Sequence, residues 1–296
     1  MIKSPIRIRT LSELRSVLKD HRMAGRSIGF VPTMGALHDG HLSLVKIARA
    51  KADITVVSIF VNPTQFAPGE DLDTYPRTEE ADIARLTEVG TDIVYLPSVE
   101  EMYPDGSKTD VRVADMSDLL DGIFRPHFFY GVATVVARLF VHVQPDVAVF
   151  GEKDYQQLQI IRRMVRDLGF PIDVIGGQTY RDADGLAQSS RNAYMNEFER
   201  QKANTISAAL HRARTRIAIG APVSEALDEA KASISAAGFE RLDYVSVVDP
   251  DTLEDLPAGP LSNGQVARIL AASTGLSPKS RVKSRSILLI SSKRYA

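Results

Sequence analysis

The stretch from residue 28 to residue 41 places two histidines and two glycines in one predicted turn. Ile28–Thr33 is a short apolar run typical of a buried strand, and the residues after His41 have helical spacing. A strand, turn and helix in this order gather backbone N–H groups and the positive end of a helix dipole at one point, where phosphate binds. His38 and His41 can each donate a hydrogen bond to a phosphate oxygen. A histidine pair at a helix start is also typical of ordinary surface, so this stretch alone leaves both interpretations open.

Further polar segments follow in the order Asn62–Phe66, Glu70–Arg77, Phe150–Leu158 and Ser189–Asn192. Within the third, Lys153 lies between a predicted strand and a predicted helix, where its ammonium group could reach a phosphate. A solvated lysine at a helix start is the alternative interpretation. Together with the histidine stretch, these segments resemble the pantoate–β-alanine ligase family of the nucleotidyltransferase superfamily. Its His-x-Gly-His signature is His38-Asp39-Gly40-His41 here, and the resemblance runs from about Ile8 to about Ala272.

The resemblance implies an enzyme that condenses pantoate with β-alanine, with ATP as a substrate, to give pantothenate (a coenzyme A precursor), AMP and pyrophosphate through a pantoyl-adenylate. It also implies Mg²⁺ on the ATP phosphates and a homodimer. Its partners would be small molecules rather than nucleic acid or membrane. Two alternatives are another adenylyltransferase of the superfamily and a nucleotide-binding protein with impaired catalysis.

Family resemblance also assigns roles to individual residues. The catalytic residues would be His38, His41, Lys153 and Arg191. Pantoate would be held by Gln65, Gln157 and Met34, because an amide offers both a donor and an acceptor to a hydroxy acid. Phe60 and Val136 are further candidate walls, with core packing as the alternative. The ATP contacts would be Pro32, Thr33, Met34, Gly35, His38, Gly40, His41, Gly151, Lys153, Asp154, Tyr180, Gln188, Ser189, Ser190 and Arg191. No residue is assigned as a metal ligand, although Asp71 or a neighbouring acid could meet Mg²⁺.

Several positions depart from the family pattern. Gln188 stands where the family has Met or Leu, and Tyr180 stands where it has a small residue beside the adenine. Phe128 stands at an expected histidine position, with His127 displaced by one. A shift of one residue in an irregular loop reorients the side chain, so we expect His127 not to reproduce the family contact. The chain ending at residues 286–292 also differs from the family's, which leaves the last residues without a family template.

Composition is that of an ordinary globular protein, with 296 residues, 44% hydrophobic and 25% charged residues and a formal net charge of -1. This charge gives no electrostatic reason for nucleic acid or membrane binding. The absence of cysteine excludes disulfides and thiolate metal sites. No apolar run approaches the ~18–20 residues of a membrane span, and no signal-peptide pattern opens the chain. A cytoplasmic enzyme is therefore expected.

The pattern of elements predicts an α/β protein with a Rossmann-like, doubly wound parallel sheet in residues 1–177 and a small α+β domain in residues 178–296. Strands alternate with helices in the first part, and their carboxyl ends would form the ligand crevice. Short strands are expected near Thr109–Val113. In the second part we expect one helix over Glu197–Ile219, another over Val223–Ala237, and strands at Leu242–Val248 and Val266–Ala272. The basic stretch Ser277–Arg285 is expected to be a solvated tail.

Overall fold

The computed structural model describes residues 3–239, 241–262, 264–274 and 283–291, and these form two compact units. The first unit contains the described chain up to Ser117, with Arg125–Glu152 and Gln157–Gln178. The second contains Asp118–Phe124, Lys153–Gln156 and the described chain from Thr179 onward. Two short segments before residue 178 thus belong to the second unit. The division into domains 1–177 and 178–296 stays a prediction.

The first unit is built on a parallel sheet with the strand order β1-β4-β3-β2-β5-β6. The strands are Ile6–Ile8 (β1), Ile28–Thr33 (β2), Ile54–Ile59 (β3), Ile93–Tyr95 (β4), Val147–Gly151 (β5) and Asp173–Gly177 (β6). In the centre, β2 and β3 pair along their whole lengths, from Ile28 with Ile54 to Thr33 with Ile59. Their nearly continuous apolar runs suit central strands that are covered on both faces. The predicted doubly wound sheet is confirmed.

Helices cover both faces of this sheet. They are Leu11–Met23 (α1), Asp39–Lys51 (α2), Glu79–Glu88 (α3), Val99–Met102 (α4), Phe128–Val143 (α6) and Tyr155–Leu168 (α7), while Asp121–Phe124 (α5) belongs to the second unit. On one face, α2 and α3 bury Val45, Ala48 and Leu86 against the central strands. On the other face, Phe140 of α6 packs edge-on against Phe30 of β2 and Phe150 of β5, at centroid distances of 6.4 and 6.2 Å. The sheet therefore lies between two helical layers.

The strand order reverses between β2 and β5, and this reversal determines where a ligand can bind. From β2 the chain adds β3 and β4 on one side of the sheet, and it then returns to add β5 and β6 on the other. Crossovers that leave in opposite directions open a crevice outside the carboxyl ends of the two strands. The histidine stretch follows β2, and Gly151 ends β5.

The second unit contains the helices Glu197–Ala203 (α8), Thr205–Ala218 (α9) and Val223–Ala236 (α10). They accompany an antiparallel sheet of Arg241–Val248 (β7), Val266–Thr274 (β8) and Lys283–Ser291 (β9). Small residues of α9 and α10, among them Ala209 and Ala226, pack with Val245 and Ile269 in its core. The α+β prediction for this part is confirmed.

Three local expectations are wrong. Thr109–Val113 forms no strand, because this segment pairs with no other strand and its Val111 N–H donates to the Thr134 hydroxyl. The helix expected over Glu197–Ile219 is interrupted at Asn204, which ends α8 and precedes α9. The last part of the expected tail is not a free tail, since Lys283 begins β9 and pairs with Thr274. The rest of that tail lies outside the described residues.

No helix within the described ranges is long and apolar enough to cross a membrane.

A buried histidine makes the first unit sensitive to acid. His142 of α6 is 7% exposed, and its Nδ1 lies 3.0 Å from the hydroxyl of the fully buried Tyr95. Burial, with a smaller contribution from Arg15, lowers the pKa of His142 to about 4. The unfolded chain, where histidine has a pKa near 6.5, therefore takes up this proton first as the pH falls.

We predict that titration of His142 lowers the free energy of unfolding by about 3 kcal/mol as the pH falls from about 6.5 to about 4. This follows from about 1.4 kcal/mol per pKa unit. Its contribution is fully present above about pH 6.5. Urea unfolding at pH 7 and pH 4.5 should show a smaller loss for His142→Gln than for the unchanged chain, because glutamine can accept the Tyr95 hydrogen bond without titrating. Equal losses in the two proteins would contradict this assignment.

Candidate active site

The loop between β2 and α2 is a tight turn with an unusual backbone conformation. Gly35 has φ +82° and Ala36 has φ +48°, so two successive residues adopt the left-handed conformation. A Cβ on Gly35 would also lie 3.1 Å from Asp82 Oδ2 and from Ile59 Cγ2, which makes glycine the fitting residue there. The turn delivers His38 as the N-cap residue of α2.

The two predicted catalytic histidines are neighbours at the start of α2, with their ring planes tilted by 39°. Their ring centroids are 4.0 Å apart, and the His38 backbone N–H donates to His41 Nδ1 at 3.2 Å. Since Nδ1 accepts this hydrogen bond, a neutral His41 ring carries its proton on Nε2. The sequence thus provides both a histidine and the backbone group that fixes its tautomer, three residues apart. The N–H donor of the ring is then at Nε2.

Asp82 on α3 holds this loop in place, and sequence analysis did not identify it. Its side chain is 2% exposed and accepts from the backbone N–H groups of Ala36 (2.9 Å) and Leu37 (2.7 Å). Arg85, one turn further along α3, donates to the Leu37 carbonyl at 3.3 Å and pairs with Asp39. The sequence feature that could have identified Asp82 is its position next to Ile83 on the buried face of an amphipathic helix, because a buried charge requires partners.

Gln65, a predicted pantoate ligand, is oriented by a buried asparagine. Asn62 is 1% exposed, and its amide donates to Gln65 Oε1 at 3.2 Å and to the Gly131 carbonyl at 3.1 Å. The Tyr103 hydroxyl, whose pKa is raised by burial, donates to Asn62 Oδ1 at 2.8 Å. Gln65 Nε2 therefore points to the Met34 sulfur at 3.0 Å, a weak acceptor that a substrate oxygen can replace.

The close approach of this loop to α6 depends on Gly131. A Cβ at residue 131 would lie 2.6 Å from the Thr64 carbonyl oxygen, closer than real Cβ atoms come. Any larger residue would push away the short 3₁₀-helix Pro63–Gln65, and with it the Gln65 amide.

The neighbouring glutamines 156 and 157 have different environments. Gln156 is 4% exposed and belongs to the second unit, where it bonds the Asp121 N–H and the Leu119 carbonyl. Gln157 belongs to the first unit and is half-buried, and its side-chain amide makes no hydrogen bond to any described residue. The role of Gln157 as a pantoate ligand stays a prediction.

The displaced histidine lies outside this network. His127 is exposed at the start of α6, with its ring 6.2 Å from that of Tyr130. Phe128 is 9% exposed and lies under the Arg125 guanidinium, at 3.7 Å from Cζ to the ring centroid. Arg125 in turn makes a two-pronged ion pair with Glu70, at 3.0 and 2.6 Å, and donates to the Gln65 carbonyl at 3.3 Å. The ring of Phe128 thus holds the Arg125 guanidinium through a cation–π contact.

The remaining predicted contacts of the first unit are set by the strand ends. Thr33 ends β2 and donates its hydroxyl to the Ser58 carbonyl at 2.7 Å, so its side chain is used within the sheet. Phe60 and Val136 are 6% and 5% exposed, as in ordinary core packing. The other three are distributed along the same edge, with Pro32 in β2, Gly40 in the first turn of α2 and Gly151 at the end of β5.

The predicted phosphate ligands Lys153, Ser189, Ser190 and Arg191 belong to the second unit. Lys153 Nζ lies 3.7 Å from the carboxylate of Asp154, another predicted ATP contact. Ser189 caps the 3₁₀-helix Ser190–Tyr194 by accepting from the Arg191 N–H at 3.3 Å. This cap fixes the turn that carries Ser190 and Arg191.

The side chain of Gln188 is anchored by Asp182. Its amide donates to Asp182 at 2.9 Å, and its backbone N–H donates to the carbonyl of Tyr180, which is 45% exposed. Arg200 bonds both Asp182 and Asp184, and the hydrogen bonds from this guanidinium hold the pKa of Asp184 below its usual value. The polar residue at position 188 therefore has a polar partner in this chain.

Comparison with known proteins identifies the family. The family model for pantoate–β-alanine ligase matches residues 6–282. The chain belongs to the pantoate–β-alanine ligase family. A pantothenate synthetase from Hyphomonas neptunium is 66% identical over 90% of this chain and 91% of its own length. The predicted family and the predicted enzyme class, a ligase, are thereby confirmed.

Solved structures of the family agree in fold. Pantothenate synthetase from Thermus thermophilus has a TM-score of 0.88 and 46% identity, covering 96% of this chain and 98% of that one. Pantoate-beta-alanine ligase from Francisella tularensis, complexed with beta-gamma ATP and beta-alanine, has a TM-score of 0.78 and 32% identity, covering 97% and 98%. The whole fold, rather than one domain of it, is shared.

We predict that His127→Ala lowers kcat/KM by less than about tenfold (~1.4 kcal/mol), because the ring is exposed and outside the Gln65 network. His41→Ala, the matched histidine variant, should cost well over tenfold, since it removes the oriented Nε2–H donor. Steady-state kinetics with ATP and pantoate varied in turn measure both. A His127→Ala enzyme as impaired as His41→Ala would contradict this placement.

Proposed function

We propose that this chain performs its family's condensation of pantoate with β-alanine in two steps. In the first, a pantoate carboxylate oxygen attacks the α-phosphorus of ATP. The bond between the α-phosphorus and the oxygen that bridges to the β-phosphate breaks, and pyrophosphate leaves. In the second, the β-alanine amine attacks the acyl carbon of the pantoyl-adenylate, the bond to the phosphate oxygen breaks, and AMP leaves while the amine nitrogen loses a proton. The observation that carries the proposal is the oriented His41 Nε2–H beside the strained β2–α2 turn.

The first step requires charge stabilisation rather than a base. A carboxylate with a reference pKa of about 4 is already ionised near pH 7. The site must instead align the reactants and stabilise charge on the phosphates. His41 as a fixed donor and His38 beside it suit that task. Lys153, Ser189, Ser190 and Arg191 are our proposed phosphate ligands from the second unit.

Pantoate recognition by Gln65 follows from the orientation of its amide. Asn62 occupies Oε1, so Gln65 presents an N–H donor, which suits a carboxylate or hydroxyl oxygen. The Gln157 amide has no described hydrogen-bond partner and offers both a donor and an acceptor. The thioether of Met34 supplies apolar surface for the dimethyl carbon.

The rival adenylyltransferase reaction on a phosphorylated substrate is less well supported by the same contacts. A phosphate ester calls for an available cation near the Gln65 amide. The arginine that reaches the Gln65 carbonyl, Arg125, already has its charge balanced by both oxygens of Glu70. A hydroxy acid without a phosphate group fits the amide environment better.

We also propose that the enzyme uses Mg²⁺, forms a homodimer and works in the cytoplasm. Within the described ranges, no group of three or more His, Asp or Glu side chains is arranged to hold a metal ion. Glu70 is committed to Arg125. Mg²⁺ usually keeps several waters and binds through substrate phosphates. We therefore propose that the ion arrives on the ATP triphosphate.

The test of the two-step mechanism is isotope exchange. We expect pantoate-dependent exchange of labelled pyrophosphate into ATP in the absence of β-alanine, because adenylation uses only the groups named above. Lys153→Ala should slow this exchange by about 10²–10³, the scale for losing one electrostatic donor in the transition state. Exchange that strictly requires β-alanine would exclude a separable adenylate.

We predict that Gln65→Leu and Gln157→Leu each weaken pantoate binding far more than ATP binding. Each leaves a substrate oxygen unpaired, at roughly 1–3 kcal/mol, or about 5- to 150-fold. Michaelis constants for both substrates measure the selectivity. Losses of equal size for ATP and pantoate would indicate a folding defect or a wrong assignment.

A further inference from the structure

Tyr155 is a buried tyrosine, 3% exposed, that the proposed function does not use. It is the first residue of α7 and directly follows the 3₁₀-helix Glu152–Asp154, which contains Lys153. The segment Lys153–Gln156 belongs to the second unit, whereas the rest of α7 belongs to the first. Tyr155 is therefore close in the chain to a proposed phosphate ligand and lies in the short part of this helix that the second unit contains.

The hydroxyl of Tyr155 is held by a backbone group far along the chain. It donates to the Pro250 carbonyl at 3.0 Å, although 95 positions separate the two residues. A buried phenol requires such a partner, because an unpaired hydroxyl in the interior is costly. Since the acceptor belongs to the main chain, the hydrogen bond fixes Tyr155 to the fold of the second unit rather than to a side chain that can rotate away.

The turn that contains Pro250 is itself closed by hydrogen bonds. The Asp249 carboxylate accepts from the backbone N–H groups of Asp251 and Thr252, both at 2.9 Å. The Leu253 N–H donates to the Asp249 carbonyl at 3.1 Å. The hydrogen bond from the Thr252 N–H lowers the pKa of Asp249, so this carboxylate is ionised near pH 7. The Pro250 carbonyl is thus held in one place just beyond the end of β7.

The ring of Tyr155 is attached to the same end of the same sheet. The Arg268 guanidinium carbon lies 4.5 Å from the ring centroid, within the range of a cation–π contact. Arg268 in β8 pairs with Val248, the last residue of β7, so the guanidinium and the Pro250 turn are neighbours on this ladder. Gln156, the next residue, is hydrogen-bonded to two backbone groups of the second unit as well.

These contacts determine where the Lys153 ammonium can lie. Only Asp154 separates Lys153 from Tyr155, and a 3₁₀-helix rises about 2 Å per residue, so the anchor is about 4 Å along the axis. The other proposed phosphate ligands, in the segment Ser189–Arg191, belong to the same unit. Charge stabilisation on a triphosphate requires that the donors keep their spacing, since a misplacement of about 1 Å can cost about 10²-fold in rate.

We propose that Tyr155 is a positioning residue for the first step, which fixes Lys153 to the second unit that also carries the other phosphate ligands. The proposal rests on the proposed function, in which Lys153 stabilises charge on the ATP phosphates. Tyr155 itself contacts no reacting atom in this scheme. Its hydroxyl acts through the Pro250 carbonyl and its ring through Arg268. Without this anchor the ammonium is still present but spends less time where the phosphates need it.

The test is a double-mutant cycle on pantoate-dependent pyrophosphate exchange without β-alanine. Tyr155→Phe removes only the hydroxyl and should slow exchange about 3- to 30-fold, below the limit for a 1 Å misplacement. The KM for pantoate should stay within twofold. In Lys153→Ala enzyme the same substitution should slow exchange less than twofold, because a residue that acts through another has no effect once the other is removed.

Tyr95→Phe is the matched control. It removes the hydroxyl of another buried tyrosine, one that belongs to the first unit and lies 3.0 Å from His142 Nδ1. Urea unfolding should show that both Phe variants are folded and destabilised to a similar degree. Tyr95→Phe should nevertheless change exchange less than twofold, with Lys153 present or absent.

A second variant reaches the anchor from its other side and leaves Tyr155 unchanged. Asp249→Ala removes the carboxylate that closes the Pro250 turn, at a half-buried position outside the core. It should slow exchange in the same way as Tyr155→Phe. In Lys153→Ala enzyme this substitution should also have less than a twofold effect.

The outcomes separate this proposal from the proposed function. Absence of exchange in the unchanged enzyme would overturn the two-step function itself. Normal exchange in folded Tyr155→Phe and Asp249→Ala enzymes would leave that function intact and overturn the positioning role. Slowing of equal size with and without Lys153 would show that Tyr155 acts independently of this lysine, and would also overturn it.

Discussion

The hydrogen bonds from the β2–α2 turn to the buried Asp82 carboxylate are the constraint on which the candidate site depends. A turn with two successive left-handed residues is costly on its own, and it persists only where surrounding contacts hold it. Asp82 supplies those contacts by accepting from both Ala36 and Leu37. The turn places His38 at the start of α2, and the His38 N–H then fixes the tautomer of His41. A carboxylate on a different helix thus determines the chemistry of a histidine.

The pantoate side of the site is organised in a similar way, around a buried amide. Asn62 has both ends of its side chain hydrogen-bonded, and the contact between Gly131 and Thr64 keeps it against α6. Buried polar groups that are fully satisfied specify one arrangement, because any rearrangement leaves a donor or acceptor unpaired. Gln65 inherits its orientation from this network. The ion pair of Arg125 with Glu70, supported by the Phe128 ring, holds the rest of the loop.

Two of the departures from the family pattern, Phe128 and Gln188, fit local partners in this chain. Phe128 cannot replace a histidine as a donor, but its face supports the Arg125 cation. Gln188 has an amide where an apolar residue is usual, and Asp182 accepts its N–H. Phe128 and Gln188 are therefore each matched by a neighbour, which argues for a maintained site rather than one that has decayed.

The sequence by itself determined the family, the alternation of strands and helices and most candidate residues, because these depend on local periodicity and on motifs within short stretches. It also indicated the His38–His41 pair, since backbone and ring are only three residues apart. The tertiary structure alone decided the contacts of Asp82, Asn62 and Arg125, whose partners are distant in the chain. It also decided that residues 109–113 form no strand and that β9 pairs with β8. A strand requires a partner at hydrogen-bond distance, and a buried charge requires donors, and neither is visible in the residue order.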